Sequence, residues 1–175
     1  MRKIRGARAL LVGATLIAAS IVPAVMASPA ANAGVVDNIC DIAATLNFSP
    51  PLTLEEQLVS MNLTNASASH CTSPEYTDGT FTLNSGTGTS LCLVLDIVGT
   101  GQLAWSNRQV SDFSYTVSTN PVSGTVGLEA TITSGPFKGD VIQDVPDLVS
   151  MVGTCATGGV SSLTLDSGLL VFTSL

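Results

Sequence analysis

Three aspartates, Asp140, Asp144 and Asp147, fall within one short acidic segment, Asp140-Val141-Ile142-Gln143-Asp144-Val145-Pro146-Asp147. Calcium takes hard oxygen donors, so these carboxylates are the candidate ligands of an extracellular calcium site, although their spacing departs from the EF-hand pattern. No other cofactor is indicated. The single histidine, His70, adjoins Cys71. A Ser-His-Asp triad would have to use it, yet the chain carries no G-x-S-x-G elbow. The thirteen acidic residues offer many carboxylate pairs of the kind used in glycoside hydrolysis, and nothing in the spacing selects one. Trp105, Tyr115 and Phe137 are the candidate binding platform for stacking on a sugar or a partner protein. Trp105 is in phase with Leu103, which also suits core packing.

The four cysteines, Cys40, Cys71, Cys92 and Cys155, are even in number and include no C-x-x-C. In an exported chain that pattern reads as two disulfides rather than a metal site or a reactive thiol. Of the three pairings, Cys71–Cys92 and Cys40–Cys155 are expected, the first enclosing the Gly-rich segment and the second tying the N-terminal part to the late strands. Export itself is read from residues 1–33. Arg2, Lys3, Arg5 and Arg8 form a basic n-region, Ala9–Val25 an apolar h-region, and Ala31-Asn32-Ala33 a small-x-small cleavage site. A mature domain of residues 34–175 then keeps Arg108 and Lys138 against all thirteen acids, a formal charge of −11. Such a surface repels phosphate backbones, so nucleic acid is excluded as a partner. Once the signal is removed, no span of membrane is expected.

The elements that must position these residues are strands. Phe113, Tyr115 and Val117 alternate with Asp112, Ser114, Thr116 and Ser118, and Val126, Leu128, Ala130 and Ile132 alternate in the same way across Gly124–Thr133. Thr119–Gly124 supplies turn chemistry between them, and Ser106–Gln109 a tight hairpin before them. Ile42–Phe48, Val59–Leu63 and Phe81–Leu83 alternate too. Ser85-Gly86-Thr87-Gly88 and Gly99-Thr100-Gly101 read as turns, Leu91–Val98 as a central strand apolar on both faces, and Leu163–Thr173 as a hairpin about Asp166-Ser167-Gly168. Nine to eleven short strands without a long helix predict an all-β domain, an antiparallel β-sandwich first and a closed β-barrel as the alternative.

Thr45–Thr53, the Leu103–Asn107 hairpin, Ile132–Asp140 and Cys155–Val160, together with the Ala-rich leader, resemble small secreted all-β proteins of actinomycete bacteria. The resemblance implies an extracellular bacterial location and carries no activity with it. The expected function is therefore a non-catalytic secreted or cell-surface module that binds an extracellular polysaccharide or protein, or serves a structural role. A secreted hydrolase and a secreted inhibitor presenting the Cys71–Cys92 segment are the alternatives.

Overall fold

A computed structural model describes residues 34–92, 94–119 and 126–174; the signal peptide read over 1–33 and the turn centred on Asn120–Gly124 lie outside them. Eight strands follow one another: β1 (Val35–Leu52), β2 (Gln57–Ser69), β3 (Gly79–Ser90), β4 (Asp96–Trp105), β5 (Val110–Thr119), β6 (Val126–Ser134), β7 (Val141–Thr154) and β8 (Gly159–Ser174). Each pairs antiparallel with the next, and β8 returns to pair with β1 from Val35–Ser174 to Leu52–Val160. The architecture is the closed barrel rather than the sandwich expected first. Alternation reveals which face of a strand is buried, but not whether the first and last strands meet.

The barrel nevertheless keeps a two-faced character. The β2–β3 ladder holds at Gln57–Ser60 with Thr87–Ser90, lapses, and resumes at Ser67–Thr80. The β6–β7 ladder consists of Glu129–Gln143, Ala130–Ile142 and Thr131–Val141. These two seams divide the wall into a β7-β8-β1-β2 face and a β3-β4-β5-β6 face. Inward positions are apolar, among them Leu46, Ile97, Leu103, Val117, Ile132 and Phe172, all buried. Outward positions such as Thr82, Thr100, Gln102, Ser114, Thr116 and Thr131 are exposed and polar. That is the reverse of a lipid-facing barrel, whose outer band is apolar.

Several elements differ from their sequence reading, the first two because glycine has two uses. Gly86 and Gly99 lie inside β3 and β4 rather than in turns, and a Cβ on either would collide with the Tyr115 hydroxyl. Here glycine permits close packing of an aromatic side chain across the wall, which sequence alone does not distinguish from a turn. Conversely, Leu91–Val94 forms the β3–β4 connection, closed by reciprocal backbone bonds of 2.9 and 3.1 Å, and β4 begins at Asp96. The expected hairpin at Asp166-Ser167-Gly168 is instead part of β8, where the ladder to β7 shifts register between Pro146 and Leu148. A bulge absorbs both the proline and the turn-forming residues. The Ser106–Gln109 hairpin forms as read, with Arg108 N donating to Trp105 O at 2.9 Å.

One end of the barrel is filled by aromatic rings. Tyr76 stacks edge-on against Trp105 and Phe137 with centroids 5.3 and 4.9 Å apart, and Phe172 closes the cluster from β8. Trp105 Nε1 donates to Ser111 Oγ at 2.9 Å, and Ser111 donates onward to the Pro136 carbonyl at 2.8 Å. Fully buried Asn38 accepts from Ser73 N and Thr72 Oγ1, which holds the β2–β3 loop, and with it Tyr76, over the opening.

The disulfides join Cys40 to Cys71 and Cys92 to Cys155, correcting both expected pairs. Register is the reason. Asp41 lies opposite Ser69, so Cys40 and Cys71 face each other just beyond the β1–β2 ladder at the aromatic end. Cys92 and Cys155 sit in the β3–β4 and β7–β8 connections at the other end. The bridges span 31 and 63 residues, so the chain-entropy account assigns each about 3–4 kcal/mol, with the longer worth about 0.6 kcal/mol more. The Cys40→Ser/Cys71→Ser and Cys92→Ser/Cys155→Ser variants are each expected to lose that much unfolding free energy in urea, the second pair losing more; equal or negligible losses would remove loop closure as the source of their effect.

Candidate functional site

The feature that is neither packing nor surface is a cavity between the two faces of the barrel. Its volume is about 40 Å³, and its walls include Met61, Leu83, Phe113, Leu128 and Leu165, with Asp144 as the one carboxylate. Small residues make the space: Ala44, Ala66 and Ala130 occupy inward positions where a leucine would close it. The strands that carry these residues are held at the aromatic end by the ring cluster and at the opposite end by buried Leu52, Val59, Leu95, Ile97 and Val160.

Asp144 follows Ile142 on the inward side of β7, past the point where β7 stops pairing with β6. Its Oδ1 atom is buried without a hydrogen-bond partner among the described residues. An orphaned buried oxygen is costly, and native structures place one where a ligand or another partner completes it, or where strain serves a purpose. Leu128 and Asp144 also line a groove on the outer wall with Thr116, Gly127, Glu129 and Gln143. The same two side chains thus border the interior and the surface, which lie on either side of them at the β6–β7 seam. At the β2–β3 seam the half-buried side chains are apolar: Leu63, Phe81 and Leu83. Tyr115, the other polar group at the cavity wall, is already satisfied, its hydroxyl donating to Ser85 O at 2.9 Å. Burial pushes that phenol up to about 12.

No family model, curated protein or solved structure matches this chain.

The sequence-derived candidates are distributed by this geometry. Of the aromatic platform, Tyr115 lines the cavity, whereas Trp105, 3% exposed, and Phe137 belong to the ring cluster at the closed end. None forms a platform open to solvent. Asp140 and Asp144 do not converge in a loop as expected. Asp140 and Asp144 are four residues apart along an extended strand, a separation of about 13 Å, and Asp147 belongs to β7 while its side chain lies outside the described set. Asp140 instead neighbours Asp37 at the bulge in β1. Among the described residues no group of three metal-binding side chains forms. His70 is exposed, and Asp41 at 3.0 Å is its described partner. The Cys71–Cys92 segment contains β3 and is not closed by a disulfide, so it presents no braced inhibitory loop. What sequence reasoning missed is the separation of Asp144 from Asp140. The signal was present in the alternation of Asp140, Ile142 and Asp144, three positions on one side of a strand.

Burial raises the Asp144 carboxyl to about 6, and Asp140 rises to about 6 through burial first and the adjacent Asp37 second. Such groups bind a proton more tightly in the folded chain than in the unfolded one. Their contribution favours folding most below about pH 4, declines as the pH rises to about 6, and is absent above that. Asp112, lowered by hydrogen bonds from Ser134 and Gln102, acts in the opposite sense below pH 4. Melting temperature is therefore expected to rise on acidification from pH 7 to pH 4.5. Asp144→Asn should raise stability at pH 7 by up to about 3 kcal/mol and flatten the profile between pH 4 and 6; calorimetry showing an unchanged slope would contradict the burial of this carboxylate.

Proposed function

We propose that this protein is an exported, non-catalytic binding protein that holds a small apolar molecule between the two faces of its barrel. The observation that carries the reading is the apolar cavity bounded at its rim by the half-buried Asp144, whose buried Oδ1 has no hydrogen-bond partner among the described residues. Export is supported by the basic, apolar and small-x-small organisation of residues 1–33 and by two disulfides, which persist in an oxidising compartment. Binding rather than catalysis is favoured because the described lining of the cavity holds one carboxylate and a hydrogen-bonded tyrosine and pairs no nucleophile with a base.

At about 40 Å³ the resting cavity is well short of the roughly 150 Å³ that accommodates benzene. Occupancy therefore requires the faces to part, and the lapsed seams are where they can. The void itself costs about 1 kcal/mol at the usual penalty per unit volume, and each buried methylene of a ligand returns about 0.8 kcal/mol. Several methylenes thus outweigh a modest widening. A slender aliphatic chain meets that requirement better than a rigid ring system.

Isothermal titration and thermal shift with n-alkyl compounds of six to fourteen carbons test the reading. Saturable binding with a rise in melting temperature is expected for part of the series. Ala130→Leu, which fills the cavity, should abolish binding while preserving the near-ultraviolet signature of the distant Trp105 cluster. Absence of saturable binding by every chain length would overturn the proposal. Cell-wall polysaccharides are expected to leave Trp105 fluorescence unchanged, because its ring is enclosed.

A further inference from the structure

The two seams at the edges of the cavity differ chemically, and that difference orients a ligand. At the β2–β3 seam the half-buried side chains between the paired ends, Leu63, Phe81 and Leu83, are apolar, and the polar residues of the same stretches face solvent. At the β6–β7 seam the cavity meets Asp144, whose Oδ1 is buried and without a hydrogen-bond partner among the described residues, and just outside it Glu129 stands exposed on the groove. An ionised carboxylate accepts hydrogen bonds and donates none. A group that completes Asp144 must therefore carry an O–H or N–H. A carboxylate or phosphate head would meet two acidic side chains at the seam and a domain carrying thirteen acids against two bases over residues 34–175. Fatty acids, the commonest slender amphiphiles, are thus disfavoured twice, by missing donors and by charge.

We infer that the ligand is a single-chain amphiphile with a hydrogen-bond-donating head, an alcohol or a protonated amine, seated with its head on Asp144 in the β6–β7 seam and its tail directed across the barrel toward Phe81. The inference rests on the proposal that the barrel interior is a binding site, and it adds head-group class, polarity and point of entry. Entry from the side follows from the construction of the molecule. The ring cluster of Tyr76, Trp105, Phe137 and Phe172 fills one end, whereas Leu128, at the groove, is half-buried and bounded by no β7 pairing partner among the described ladder positions.

The test compares four ten-carbon probes at pH 7.5: decan-1-ol, decylamine, decanoate and decyl methyl ether, the last matching the chain without a donor. Decan-1-ol and decylamine are expected to bind at least tenfold more tightly than decanoate and the ether. In Asp144→Leu the preference should vanish while ether binding is kept or improved. Asp144→Asn, nearly isosteric, guards against a folding defect: its amide oxygen still accepts from the alcohol, but the advantage of the amine over the alcohol should disappear. An amine advantage that falls with salt identifies a cationic head, and equal binding of amine and alcohol identifies the hydroxyl bond as sufficient. Equal affinity for all four probes, or a preference that survives Asp144→Leu, would overturn the inference and leave the interior site standing. Failure of all four to bind would remove the interior site and the inference with it.

Discussion

Everything in this molecule depends on the backbone ladder between the first and last strands. Without the pairing of β1 with β8, the sheet would have two long edges, one of them the apolar Leu169–Thr173 run, and its inner side chains would have no opposite wall to pack against. With it, Phe172, Leu170 and Leu163 from β8 and Ile42, Leu46 and Phe48 from β1 face an enclosed interior. Closure also explains how a hydroxyl-rich, acidic exterior coexists with a positive mean hydropathy of +0.46 over the whole chain. Alternation sends most serine and threonine to water and most aliphatic residues inside, with exceptions such as exposed Leu58 and Val98 and buried Ser90 and Ser111.

Closure is incomplete in hydrogen bonding, and the chemistry of the interior follows from where it lapses. Backbone pairing is continuous where β4 meets β5. It is sparse where the two faces adjoin at β2–β3 and β6–β7. The ladders are thus unequal around the wall, and the seams with the fewest backbone hydrogen bonds are the stretches that local fluctuation opens most readily. Asp144 lies at one of those seams, with its Oδ1 buried and without a hydrogen-bond partner among the described residues while its side chain also borders the outer groove.

Much of the fold was legible in the sequence, and the failures share a physical origin. Phe113, Tyr115 and Val117 announce β5 because their alternation is local information, and the Ser106–Gln109 hairpin is local as well. Closure, disulfide pairing and the role of Gly86 and Gly99 depend on partners distant in sequence. Cys40 and Cys71 become neighbours only through the β1–β2 register, and the two glycines are needed only because Tyr115 arrives from another strand. The preference for a sandwich overlooked closure but matched the two-faced character that the seams impart. For the site, the sequence singled out Asp144 and Tyr115 but grouped each with the wrong companions. Acidic density suggested one cluster of aspartates, and the extended chain separates Asp140, just before β7, from Asp144 within it. Aromatic content suggested an exposed platform, and burial divided it between the cavity wall and the closed end.

The ladder between β1 and β8 has a further consequence, in the order of events as the chain acquires its structure. Every other ladder joins strands adjacent in sequence, so each hairpin can form as soon as its second strand is available. The β1–β8 pairing joins Val35 to Ser174 and must wait for the last residues. Such non-local pairing is entropically slow. Until then β1 presents an unpaired edge, and the chain places two prolines, Pro50 and Pro51, in the stretch of β1 where the ladder to β8 skips from Asn47 to Leu52. A proline offers no N–H to an intruding strand. Those two positions of the waiting edge thus give a neighbouring chain nothing to accept.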